Sequence, residues 1–218
     1  MLFMACISPL LFGLFIRFGI PFTEKLLTVH FNEMEILYPY YLLFDLFLAT
    51  LTPIMFSFVS AMVILGEIDD GITSYMSVTP LGKGGYLVSR VVFPLIFSFF
   101  ITIIVLYKFS LTEIPLGIIV GVSILSSILG FIMTMLVVSI SSNRVEGMAV
   151  MKLSGILMIG IPAPFFISES IQCLLFILPS LWISKFVLGN SEVYFIVCIT
   201  ISIGWIMILL KRFMKKIF

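Results

Sequence analysis

Six stretches of this chain, roughly 2–20, 41–65, 87–107, 115–140, 148–167 and 193–210, are continuous apolar runs long enough to read as membrane spans. Crossing about 30 Å of hydrocarbon takes about 20 mostly apolar residues. In lipid an isolated span must close its own backbone hydrogen bonds, so each run is predicted to be helical. Strands are excluded because the runs do not alternate. The expected fold is therefore all-α, a polytopic membrane protein forming a single transmembrane domain over 1–218. Composition leaves no soluble alternative: 61% of residues are hydrophobic and only 11% charged, where soluble domains carry about a quarter.

Charge placement sets the topology. With six spans and a cytoplasmic N-terminus, eight of the twelve cations fall inside: Lys83, Arg90, Arg144, Lys152, Lys211, Arg212, Lys215 and Lys216. Arg17, Lys25, Lys108 and Lys185 fall outside, as the positive-inside rule prefers. Both termini are expected in the cytoplasm, with the "KRFMKK" tail (211–216) among anionic lipid heads. The start of the chain lacks the basic segment of a cleavable signal. No basic run interleaved with aromatics points to nucleic acid. Cys6, Cys173 and Cys198 share no ligand-type spacing and read as small core residues. His30 reads as a solvated loop residue.

"IQCLLFILPSLWISKFVLG" (171–189) is broken by Pro179 and reads as a pair of short, broken or interfacial helices. Pro9, Pro53, Pro94, Pro115, Pro162 and Pro164 lie in or beside spans, where they curve helices. Gly117, Gly121, Ser123, Ser126, Ser127 and Gly130 form a small-residue packing face on the fourth span. Asp45, about a turn into the second span, is expected to snorkel to water, as is Arg17.

The one long polar interruption in the first half is "GEIDDGITSYMSVTPLGKGGYLVSR" (66–90). Ile68, Ile72, Tyr75 and Met76 fall at i, i+4, i+7 and i+8, one face of a short helix. Asp69 and Asp70 would occupy its first turn, where negative charge suits a helix N-terminus. Thr79 can cap a following helix and Pro80 can take its first position. The expectation is an amphipathic helix along the membrane surface within the loop 66–86, then re-entry near Arg90.

These residues resemble the cytoplasmic loop between spans two and three in permeases of type-2 ATP-binding-cassette (ABC) transporters. The matching positions are Glu67, Asp70-Gly71, Thr79-Pro80-Leu81, Tyr86-Leu87 and Arg90. "SPLLFGLFIRFGIP" (8–21) is similar to the first span in the drug-export branch of that family. "LPSLWISK" (178–185) looks like the segment before its last span. The resemblance implies a membrane-spanning permease subunit of an ATP-driven exporter in the cell membrane, moving an amphiphilic or hydrophobic substrate. It implies no catalysis and no cofactor in this chain, with ATP and Mg²⁺ used by a separate ABC ATPase subunit. It also implies pairing with a second permease copy, as a homodimer or a paralogous heterodimer. Glu67 would close span two, with the coupling helix at Ile68–Val78. The ATPase-coupling set would be Glu67, Ile68, Asp70, Gly71, Tyr75, Thr79, Pro80 and Leu81. Arg144 and Glu146, in the second cytoplasmic loop, would be a secondary contact or a headgroup anchor. The pattern departs from the family in two places: "GKGG" (82–85) is more flexible than the family's stretch, and Met1 lies almost at the membrane where members carry an amphipathic helix.

Two other classes compete. An integral-membrane enzyme of lipid metabolism is suggested by "DDG" (69–71), similar to the start of the metal-binding motif of alcohol phosphatidyltransferases. That motif needs further aspartates, and the next carboxylate is Glu113. A single histidine and no Gly-x-Ser-x-Gly elbow leave out protease chemistry, and no P-loop is present. The substrate-binding membrane subunit of a vitamin importer matches in length but does not require the acidic loop.

Overall fold

The structure, a computed structural model, describes residues 2–31, 36–76 and 82–217. All regular elements among them are helical. Helix α1 (Leu2–Leu14) passes through a π-helical turn (Phe15–Gly19) into α2 (Ile20–Phe31). A 3-10 turn at Tyr38–Tyr40 leads into α3 (Tyr41–Asp69), followed by α4 (Ile72–Met76) and α5 (Gly82–Leu87). A second π-helical turn (Val88–Val92) joins α5 to α6 (Phe93–Phe109), and α7 (Leu116–Ile140) returns. Beyond it lie α8 (Arg144–Ser154), α9 (Ala163–Phe166), α10 (Glu169–Gln172), α11 (Pro179–Gly189) and α12 (Glu192–Ile217).

Among the described residues, five helices are long and apolar enough to cross a membrane: Cys6–Phe31, Tyr38–Asp69, Gly84–Phe109, Leu116–Ile140 and Glu192–Lys216. Burial separates them into two groups. In its most apolar window α3 is 67% buried and α7 56%, against 17–22% for the other three. A helix that is apolar all round but mostly uncovered by its own chain leaves that surface for lipid or another chain. The α3–α7 pair is therefore the centre of the bundle. They approach closely where Gly130 faces Pro53: a Cβ at Gly130 would stand 2.9 Å from the Pro53 carbonyl oxygen. Small residues allow such backbone approach in lipid, where packing rather than the hydrophobic effect drives association. Ser98 and Ser127 meet at the same level, linking α6 to α7.

The expected fifth span, 148–167, is not a continuous helix. It breaks into the end of α8, a 3-10 turn (Gly155–Met158), a turn and α9. Pro162 and Pro164 supply no backbone N–H there, and Gly160 packs directly on Ser180 and Leu181 of α11. The segment nevertheless traverses the bundle's thickness. Arg144 meets Asp69 and Asp70 at one end of α3, while Phe166 stacks on Tyr40 at the other, ring centroids 5.4 Å apart. The chain then turns back inward: the Ile177 carbonyl accepts from Trp205 Nε1 of α12 at 2.9 Å. Helix α11 returns, so that Gly189 lies against Tyr194. It is a buried element with Leu181 and Ile183 fully covered, rather than an interfacial one.

Three further expectations change. The first helical rod continues past residue 20 to Phe31, carrying exposed His30 on a helix instead of a loop. Gly82–Leu87 is helical despite its glycines. Of the cysteines, Cys198 is buried but Cys173 is exposed.

Candidate functional site

The polar end of α3 is where the singled-out residues converge. Helix α3 does not stop at residue 65 but continues to Asp69, so Ile68 belongs to the span and packs against the core cluster around Leu65 and Phe213. Gly71 ends it. Its φ of +70° is left-handed, a conformation glycine adopts without steric cost. The helix expected over Ile68–Val78 is thus split: the described part beyond the break is α4, Ile72–Met76. There Ile72 is 41% and Tyr75 73% exposed. Two bulky apolar side chains stand out from this short element. Thr79, Pro80 and Leu81 lie outside the described residues.

Asp69 and Asp70 therefore sit at a helix C-terminus, where the dipole disfavours negative charge, instead of in a first turn. What offsets this comes from α8. The Arg144 backbone N–H, at the start of α8, donates to Asp69 Oδ2 at 3.1 Å. Its guanidinium meets Asp70 Oδ2 at 3.2 Å. Asp69 thus acts as an acidic cap for another helix's N-terminus, the favourable side of the same dipole argument. Asn143 adds the local cap by accepting from the Glu146 N–H at 2.8 Å. Glu146 reaches back to the Ser142 N–H at 2.6 Å, a variant of the reciprocal capping box. The stretch read as a short loop, 141–150, is mostly helix for this reason. Close approach is permitted by Gly66, over which the Arg144 guanidinium lies, and by Gly147, which faces Leu65 and Met62.

Glu67 points the other way. Its carboxylate forms an ion pair with Arg90 on the second π-helical turn and accepts a hydrogen bond from the Tyr86 hydroxyl at 2.8 Å. The Glu67 side chain is only 11% exposed and that of Arg90 37%. The Ser60 hydroxyl donates to the Arg90 carbonyl, one of the acceptors that a π-turn leaves accessible. One short acidic run thus holds two partners: Glu67 ties α3 to the α5–α6 connection, and Asp69 with Asp70 tie α3 to α8.

Sequence reasoning found Glu67, Asp70, Arg90 and Arg144 but did not pair them. It missed Tyr86 as a ligand of Glu67 and Asp69 as a cap for α8. It also misread Asp45. That side chain is 1% exposed and does not snorkel. It accepts from the Leu111 N–H at 2.8 Å, the Thr112 N–H at 2.9 Å and the Thr112 hydroxyl at 2.5 Å, so it holds the α6–α7 loop. Arg17, on the first π-helical turn, donates to the Ser110 carbonyl in the same loop at 2.7 Å.

Beside the α3–α8 junction the surface opens into grooves. One of about 440 Å³ is lined by Phe58, Met62, Val63, Glu67, Asp70, Arg144 and Met148. A neighbouring one of about 380 Å³ shares Phe58 and Met148 and adds Ile54, Met55, Met151 and Lys152. Among the described residues, no three His, Cys, Asp or Glu side chains converge as a metal site requires. The arrangement ties three elements together at one end of the bundle and sets an adaptable thioether-rich surface beside them.

Comparisons with known proteins show the family. The model of the Rv2686c-like family, fluoroquinolones export permease proteins, matches residues 1–213. Two Mycobacterium tuberculosis relatives, the fluoroquinolones export permease proteins MT2760 (strain CDC 1551 / Oshkosh) and Rv2686c (strain ATCC 25618 / H37Rv), are each 24% identical over 194 residues. The alignment covers 85% of this chain and 74% of each relative. No solved structure matches the chain. With its multi-pass helical bundle and a family match along almost its whole length, this chain belongs to the Rv2686c-like family of export permeases.

Proposed function

We propose that this chain is the membrane subunit of an ATP-driven ABC drug exporter that takes its energy from a separate ATPase docked on the 67–81 segment. The observation that carries this reading is the double clamp at the end of α3. Glu67 with Arg90 and Tyr86, and Asp69 and Asp70 with Arg144, connect α3, the α5–α6 connection and α8 at one end of the bundle. A force applied to Ile72 and Tyr75 passes through Gly71 into that junction and reaches three membrane elements together. Arg144 and Glu146 sit where a secondary contact with the ATPase would form.

In this reading the chain is one transmembrane domain that crosses the cell membrane six times with both termini cytoplasmic. The fifth crossing is the broken path from Arg144 to Phe166. The large uncovered faces of α1–α2, α6 and α12 support pairing with a second permease copy. The relatives' names make an amphiphilic drug of the fluoroquinolone type the leading substrate class. The methionine-lined grooves beside α3 and α8 suit such a cargo. Neither the lipid-metabolism enzyme nor the vitamin-importer subunit gains support from a family of export permeases.

The test is drug accumulation and ATP hydrolysis in membranes holding this chain and its candidate ATPase. Glu67→Ala and Gly71→Pro should leave the chain inserted and the ATPase bound while abolishing drug-stimulated export. Normal export by both variants would overturn the coupling role.

A further inference from the structure

Next to the methionine-lined grooves on α3, and sharing Val63 with one of them, lies a cleft of about 370 Å³. Its walls are Phe56, Val59 and Val63 of α3 and Phe93 and Phe97 of α6, with Cys6 of α1 beside them. Ser89 and Arg90, on the π-helical turn, form its polar end. From Arg90 to Phe97 the cleft follows about 10 Å of helix. Phe93 and Phe97 are 59% and 47% exposed, so it opens sideways onto the surface that faces lipid.

Arg90 is only partly used. A guanidinium presents five N–H donors. Its contact to Glu67 runs through Nη2, and Nε is buried with no acceptor among the described residues. An apolar trough open to the bilayer, closed at its polar end by an incompletely satisfied cation, matches one occupant. A hydrocarbon chain fills the trough, and a phosphate at headgroup level takes the guanidinium donors that Glu67 leaves over, the Arg90 side chain being 37% exposed. We propose that this cleft binds one anionic phospholipid from the surrounding membrane, its acyl chain along Phe56, Val59 and Phe97 and its phosphate on Arg90. The inference goes beyond the exporter reading and does not depend on it. It carries a consequence for the clamp: phosphate and Glu67 compete for one guanidinium, so membrane composition sets how firmly α3 is tied to the α5–α6 connection.

The experiment is native mass spectrometry of the full chain released from nanodiscs that mix phosphatidylglycerol and phosphatidylcholine. The wild type should retain one phosphatidylglycerol in preference to phosphatidylcholine. Arg90→Gln should lower that retention about fivefold. Val59→Trp, which fills the trough and leaves every charge in place, should lower it as well. Glu67→Gln, which removes the competing carboxylate, should raise it, and adding Val59→Trp should cancel the gain. Equal retention of both lipids overturns the proposal, as does phosphatidylglycerol retention insensitive to Val59→Trp. Should Arg90→Gln fail to insert, Glu67→Gln decides: a gain supports the site and an unchanged or lower value rejects it.

Discussion

The two ends of α3 hold their carboxylates in opposite ways. At one end Asp45 is fully enclosed and satisfied by two backbone N–H groups and a hydroxyl, all from the α6–α7 loop. At the other, Glu67 and Asp70 face arginine side chains that are themselves partly in solvent, and Asp69 takes the Arg144 backbone N–H at an exposed site. Backbone donors in a closed site cannot swap partners without exposing an unpaired polar group, which costs about 1–3 kcal/mol or more each. The Arg144 guanidinium, more than half exposed like Asp70, exchanges its carboxylate for water or another anion at small cost. The difference teaches that one end of the helix is anchored and the other is releasable, the asymmetry a lever needs.

The comparison can be broken most forcefully at Asp45. Asp45→Ala removes three hydrogen bonds at a buried site and should destabilise the protein by about 3 kcal/mol or more, read from heat- or detergent-induced unfolding of the purified chain. A change below about 1 kcal/mol would mean that the anchor is no anchor. Next comes Glu67→Gln, with a loss of roughly 1–2 kcal/mol because the group is largely covered and strips Arg90 and Tyr86 of a charged acceptor. Asp69→Ala should cost about 1 kcal/mol, the usual value of a helix cap, and should loosen α8 in hydrogen exchange at Val145 to Gly147. Asp70→Asn is the mildest, under about 1 kcal/mol, since both partners of its ion pair are more than half exposed. Raising salt should erase that last difference, because the Debye length falls to about 3 Å at 1 M, while leaving the Asp45 effect in place.

Much of the architecture could be read from hydropathy alone. The apolar runs at 41–65, 87–107 and 193–210 each lie within a long helix, and 115–140 matches one to within a residue, because in lipid continuity of apolar side chains and continuity of backbone hydrogen bonding coincide. The run at 148–167 obeys the first condition and fails the second. Gly155, Gly160, Pro162 and Pro164 interrupt it, and the carbonyls of Leu157 and Ile161 within it accept from Ser180 and Ser184, 23 positions away. No window-based reading detects such a partner. The coupling segment misled for a different reason. The apolar spacing of Ile68, Ile72 and Tyr75 stays in helical register across Gly71, so periodicity concealed a break that only the positive φ reveals. Asp45 was misjudged because its donors, Leu111 and Thr112, lie 66 and 67 positions further along. The acidic run itself was legible from its isolation in an oily chain, and its partners in α8 were not.

The broken stretch between Ser154 and α12 is stitched by individual side chains: Gln172 to the Ile167 carbonyl, Trp182 to Phe176, Trp205 to Ile177, Ser180 to Leu157 and Ser184 to Ile161. In a water-soluble protein an irregular segment is the place where substitutions are forgiven, because solvent replaces any lost donor. Where a stitch is buried, as at Ser180 and Ser184, no such substitute is at hand, and removing it leaves a carbonyl without a donor. Mutational tolerance in this molecule should therefore run inverted, with the least regular piece of backbone the least forgiving of polar-to-apolar exchange.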